Sequence, residues 1–158
     1  MTNSLVISEL NYIKGDCTSP VGEGTKIIVH VCNDIGAWGA GFTGALSKKW
    51  KEPEEAYRSI NVRDLTLGSV TIVQVQDDIW VANMIAQHGT ISKPLSEGPP
   101  IRYAAVRAAL ANVNDVAYKT QATIHMPRIG CGLAGGKWEE IEKIIKDVMS
   151  VNFYVYDL

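Results

Sequence analysis

Apolar positions along the chain fall into short β-branched runs, interleaved with longer stretches of helical period. Six runs read as strands: Leu5 to Ile13, Lys26 to Cys32, Ser69 to Val75, Ile79 to Ile85, Thr123 to Met126 and Asn152 to Tyr156. Ile27-Ile28-Val29-His30-Val31-Cys32 is apolar at nearly every position, as in a central strand buried on both faces. Two helices follow from spacings of three and four. One carries Tyr103, Val106, Leu110, Val113 and Ala117 from Arg102 onward. The other runs from Trp138 through Ile141, Ile144, Ile145, Val148 and Met149, with Glu139, Glu140 and Lys143 on other faces. A third helix is expected to start near Gly41 and to carry Ala45, Leu46 and Trp50. Pro53 opens a short helix through Tyr57, because proline is tolerated in a first turn. This alternation of strands and helices predicts a three-layer α/β/α sandwich. Gln87 to Pro100, with Gly89, Pro94, Gly98, Pro99 and Pro100, reads as a long loop of the kind that forms lids or binding surfaces.

The 158 residues suit one domain, residues 1–158, around one core. A formal net charge of −2 argues against sequence-independent nucleic-acid binding, which needs a dense positive field. Lys48, Lys49 and Lys51 stand beside Glu52, Glu54 and Glu55. They read as a solvated helix end or as a rim that attracts an anion. Met1 to Asp16 has no basic region followed by an apolar run, so no signal peptide is expected, and no run approaches the ~18 apolar residues of a membrane span. Cys17, Cys32 and Cys131 are odd in number and lack CxxC spacing, which disfavours disulfides. With the three histidines they also lack ligand-like spacing, so no metal site is expected. The expected location is the cytoplasm, and no membrane partner is expected.

Two glycine-rich stretches carry the candidate chemistry. Asn33-Asp34-Ile35-Gly36-Ala37-Trp38-Gly39-Ala40-Gly41-Phe42 joins the buried strand to the third helix. Ile129-Gly130-Cys131-Gly132-Leu133-Ala134-Gly135-Gly136 joins the strand ending at Met126 to the last helix. A glycine turn feeding a helix N-terminus presents backbone N–H groups to an anion, most often phosphate, although a tight connection uses the same residues. Neither stretch is a dinucleotide GxGxxG at its usual spacing or a P-loop. Two such loops at the carboxyl edge of one sheet can clamp a pyrophosphate from both sides. Asp16, closing Lys14-Gly15-Asp16, can accept from a base amino group or serve as a turn residue. Asn33 can bond a sugar hydroxyl or the turn backbone.

Lys14-Gly15-Asp16, His30-Val31-Cys32-Asn33 with Gly36 to Gly41, Met126-Pro127-Arg128-Ile129-Gly130-Cys131-Gly132-Leu133 and Val155-Tyr156-Asp157-Leu158 occur in an order that resembles the macrodomain family over nearly the whole chain. The Met-Pro-Arg-Ile-Gly-Cys-Gly-Leu stretch and the Val-Tyr-x-Leu ending resemble the terminal ADP-ribose glycohydrolase branch. His-x-Cys-Asn-x-x-Gly-x-Trp-Gly-x-Gly resembles the ADP-ribose-1″-phosphate phosphatase branch. The resemblance implies a mixed, largely parallel sheet of six or seven strands and an ADP-ribose ligand, free or on a modified protein, with no cofactor. It implies that Asp16 meets the adenine amino group and that Tyr156 lies beside adenine. Asn33 and Gly39-Ala40-Gly41-Phe42 would surround the distal ribose, and Gly130-Cys131-Gly132-Leu133 would cradle the diphosphate. Gly36 and Trp38 belong to the same ligand-binding loop.

The chain departs from the glycohydrolase branch at two positions. Ala134 follows Leu133 where that branch has an aspartate, and Asn83-Met84-Ile85-Ala86-Gln87-His88 lacks its lysine nucleophile. A covalent lysine mechanism is therefore not expected. What remains is hydrolysis of an ADP-ribose derivative (removal of a terminal phosphate or cleavage of an ADP-ribosyl ester) or a reader that binds without turnover. A different nucleotide-binding α/β protein is a third reading. His30 and His88 are candidate acid–base groups, each with a structural alternative, and Asn33 can orient a water beside the distal ribose. His125 alternates within a strand and reads as structural. Cys131 as nucleophile would need its thiol pKa lowered by the adjoining helix. Trp38 and Phe42 can gate the ligand or pack beneath the loop.

Overall fold

A computed structural model describes residues 7–158. The first strand is β1 (Leu10–Lys14), and the Leu5–Val6 portion of the predicted run lies outside the described residues. The chain continues through β2 (Lys26–Asn33), α1 (Phe42–Lys49), α2 (Glu52–Ser59), a 3-10 turn at Val62–Asp64, β3 (Val70–Gln76) and β4 (Ile79–Gln87). It ends with α3 (Tyr103–Thr120), β5 (Thr123–Met126), α4 (Trp138–Val148) and β6 (Phe153–Asp157). The six strands form one sheet in the order β1-β6-β5-β2-β4-β3. All neighbours are parallel except β3, which runs antiparallel to β4 at one edge.

Helices cover both faces, which makes the expected three-layer α/β/α sandwich. On one face α3 and α4 press Val106, Leu110, Val113, Ile141 and Ile145 onto Ile27, Val29, Ile124, Met126 and Phe153. On the other, α1 presses Leu46 onto Ile28, Val81 and Tyr156, while Tyr57 of α2 meets Cys32 and Ile85. Successive β2 side chains thus serve opposite layers, which is why that strand shows no polar alternation.

This topology positions the site. β2 and β5 are neighbours, yet β2 leads to α1 on one face and β5 leads to α4 on the other. Chains leaving adjacent parallel strands for opposite faces open a crevice at their carboxyl ends. Both glycine stretches lie at those ends. A register shift between Cys32 and Asn33 sets Asn33 opposite Gln87 at the same edge.

Candidate functional site

A cleft of about 610 Å³ occupies this crevice, within the usual ~300–1,000 Å³ of small-molecule sites. Of the residues expected at a ligand, His30, Asn33, Trp38, Ala40, Gly41, Phe42, Gly130, Gly132 and Leu133 line it. Its roof is the Thr90–Lys93 part of the long loop, and Gln87 and Arg128 also line it. Sequence reading left these roof residues unnamed. Their signal was the glycine- and proline-rich composition of the loop, which marks a loop without saying which side chains turn inward.

Asn33 organises the first wall. Its Oδ1 accepts from Ile35 N–H and Ala37 N–H, both 3.1 Å, and from the Tyr57 hydroxyl at 2.9 Å, and its Nδ2 donates to the Ala37 carbonyl at 2.7 Å. The amide therefore ties up the turn, leaving one N–H of Nδ2 for other partners. Gly36 sits within that turn and outside the cleft lining, as does Gly39, whose N–H donates to Thr43 Oγ1. Gly41, at φ 61°, feeds the first turn of α1, whose opening N–H groups lack intrahelical acceptors. Trp38 donates from Nε1 to Ser47 Oγ at 2.8 Å and packs its ring against Tyr57 and His30, so it props the loop from below while reaching the cleft.

The second wall is the β5–α4 loop. Among the described residues, the N–H groups of Gly130, Cys131, Gly132, Leu133 and Ala134 find no hydrogen-bond acceptor in the protein. The loop is closed instead by Gly135 N–H to the Gly132 carbonyl and by Gly136 N–H to the Gly130 carbonyl at 2.7 Å. This leaves a row of free donors at a helix entrance, the arrangement that holds phosphate.

His30 is buried at 2% exposure. Asn83 Nδ2 donates to the Pro53 carbonyl, which fixes Asn83 Oδ1 as an acceptor at 2.6 Å from His30 Nε2. His30 Nε2 therefore carries the proton. Burial lowers the imidazole pKa to about 4, so the ring is neutral at physiological pH. Burial raises the Cys131 thiol instead of lowering it as a nucleophile would need, and Cys131 lies outside the cleft lining. Here desolvation outweighs any help from the helix entrance.

Asp16 and Tyr156 also stand outside the cleft lining. Asp16 is exposed, and its carboxylate accepts from Thr18 N–H and Thr18 Oγ1, which hold its pKa below the usual range. Tyr156 is buried. Its hydroxyl accepts from Val21 N–H at 2.9 Å and pairs with His125 Nδ1 at 2.7 Å. Lys49 donates to Thr18 and Ser19, so it ties α1 to the same turn.

No family model matches the chain. Among solved structures, a Bacteroides thetaiotaomicron protein of unknown function is 52% identical, with a TM-score of 0.88, covering 96% of this chain and 99% of that one. A macrodomain protein from Streptomyces coelicolor is 44% identical, with a TM-score of 0.82, covering 95% of this chain and 99% of that one. The chain belongs to the macrodomain family. Among curated proteins, the mouse (Mus musculus) chromodomain-helicase-DNA-binding protein 1-like is 33% identical over 94% of this macrodomain. The chain spans only 18% of the length of that relative, and 14% of its Danio rerio counterpart. The ADP-ribose 1″-phosphate phosphatase of Candida albicans is 26% identical over 93% of this chain and 98% of its own.

Proposed function

We propose that this macrodomain binds ADP-ribose, or a derivative substituted on the distal ribose, and hydrolyses the bond to that substituent. The observation that carries the reading is the set of free backbone N–H groups in the β5–α4 loop, whose Gly130, Gly132, Leu133 and Ala134 line the same cleft as the α1 entrance at Gly41 and Phe42. A diphosphate is the group that uses such a row, because it accepts several N–H bonds at once. The cleft extends past the row to Asn33 and Phe42, which leaves room for a sugar beyond the phosphates. The hydrolase part rests on the phosphatase named among the relatives.

A reader without turnover is favoured by one observation: among the described residues no aspartate or glutamate lines the cleft, and His30 and Asn33 are both engaged in the scaffold. Calorimetric titration with ADP-ribose, followed by phosphate release from ADP-ribose 1″-phosphate, separates the two. Binding with release supports the hydrolase, and binding without release of phosphate or cleavage of any ADP-ribosyl ester leaves the reader. Absence of binding sinks both.

A further inference from the structure

We propose that His88, held by Asp34, is the proton-transfer group of this macrodomain, and that the cavity beside it receives the phosphate carried by the distal ribose. The inference rests on the hydrolase reading above.

Asp34 Oδ2 stands 2.6 Å from His88 Nδ1, and Asp34 Oδ1 accepts from Gly89 N–H at 2.8 Å. Both carboxylate oxygens are thus engaged, which fixes the orientation of the group. A carboxylate accepts only, so Nδ1 carries the proton, and in the neutral ring Nε2 presents its lone pair. Among the described residues, Nε2 has no partner. His88 lines a second cavity of about 360 Å³, together with Thr90, Ser96 and Gly135. A carboxylate that sets one imidazole nitrogen and frees the other is the arrangement of a general base.

The dyad stands beside the main cleft, whose lining includes neither of its residues. Asp34 and His88 directly follow Asn33 and Gln87, the paired last residues of β2 and β4, which line the main cleft. Thr90 and Ile91 line both spaces, so the cavity adjoins the cleft. A guanidinium stands behind its wall, outside the lining itself. Arg102 donates to Ser96 Oγ and to the Pro99 carbonyl, which brings a guanidinium to two residues of the lining. His30 offers less, since it is buried with Nε2 committed to Asn83.

In the proposed step, a water oxygen bonds to phosphorus and the bond from phosphorus to the ribosyl oxygen breaks. His88 Nε2 takes the proton of the water. The imidazolium, stabilised by Asp34, then returns that proton to the departing ribosyl oxygen. The products are ADP-ribose and inorganic phosphate.

The test is phosphate release from ADP-ribose 1″-phosphate by the whole chain. His88→Ala is expected to lower kcat by about 10²–10⁴-fold, with KM and ADP-ribose affinity within about three-fold of native. Added imidazole restores part of the rate. Asp34→Asn lowers kcat with KM unchanged. Native kcat in His88→Ala overturns the inference and leaves the hydrolase reading standing. So does a loss that appears as a raised KM and that imidazole does not rescue, because a damaged lid behaves that way. A native protein that binds ADP-ribose and releases no phosphate overturns the dyad, and one that also cleaves no ADP-ribosyl ester overturns the hydrolase reading with it.

Discussion

A β-carbon at Gly136 would stand 2.4 Å from the carbonyl oxygen of Gly130, a backbone atom that no rotamer change can move aside. The short approach is what lets Gly136 N–H close the loop and leave the Gly130–Ala134 donors free. Gly136→Ala is therefore expected to weaken ADP-ribose at least about ten-fold, the loss of one or two charge-assisted hydrogen bonds. The far-ultraviolet circular dichroism should stay native, and calorimetry beside that spectrum checks both. The buried histidines make a second prediction. Burial lowers His30 from 6.5 to about 4 and His125 from 6.5 to about 3. Both folded values lie below the unfolded one, so this stability is complete above pH 6.5 and is lost as pH falls towards 4 and 3. His30 alone accounts for about 3 kcal/mol of that loss. Asp16, Asp78 and Asp157 act only below their ordinary value of 3.8. Urea unfolding between pH 7 and 4.5 reads the histidine window, and His125→Gln should flatten its slope. Residue roles were the least legible part of the sequence. Asn33, Asp16 and Tyr156 each offered a ligand role and a scaffold role with the same atoms, and only the positions of Ala37, Thr18 and Val21 show which backbone groups they meet.

Element boundaries were largely legible because periodicity reports burial. β5 ends where the sequence placed it, and α3 and α4 run within a few residues of their predicted spans. β4 differs in a useful way. Its apolar run stops at Ile85 and Ala86, yet pairing continues to Gln87 because Asn33 bonds across the irregularity in β2. Those extra residues deliver Gln87 to the cleft and His88 to Asp34. No hydrophobic pattern could signal them, since they are polar residues held by a neighbouring strand end. The helix pair on the far face makes a prediction of its own. Asn114 of α3 donates to Ser150 Oγ at 2.8 Å and accepts from Ser150 N–H at 2.9 Å, tying the turn after α4 to α3. Asn114→Ala removes both hydrogen bonds to Ser150 and should cost about 1 kcal/mol of stability. Chemical unfolding measures that cost. ADP-ribose affinity should be unchanged, because the clamp lies away from the cleft-forming loops.

For the whole molecule, the architecture followed from chain-wide order: alternating strands and helices, a doubly buried central strand and two glycine stretches at strand ends. That the two stretches could meet at one carboxyl edge was legible, but which strands flank the crevice was not, because it depends on β2 and β5 being neighbours whose chains depart to opposite faces, and strand order is a property of the assembled sheet. If the cleft binds ADP-ribose, ligand must stabilise the fold by mass action. At a ligand concentration near 100 times Kd the gain is about 2.7 kcal/mol, which for a chain of this size raises Tm by roughly 5–10 °C. Adenosine, which has a base and a sugar without phosphate, should give a much smaller rise.

The most direct measurement is calorimetric titration of ADP-ribose into the native protein, with Gly136→Ala titrated in parallel. One-to-one binding that weakens at least about ten-fold in the variant is the predicted result. No heat of binding in the native protein would contradict the central claim, and the free N–H row of the β5–α4 loop would then be only a tight connection between a strand and a helix.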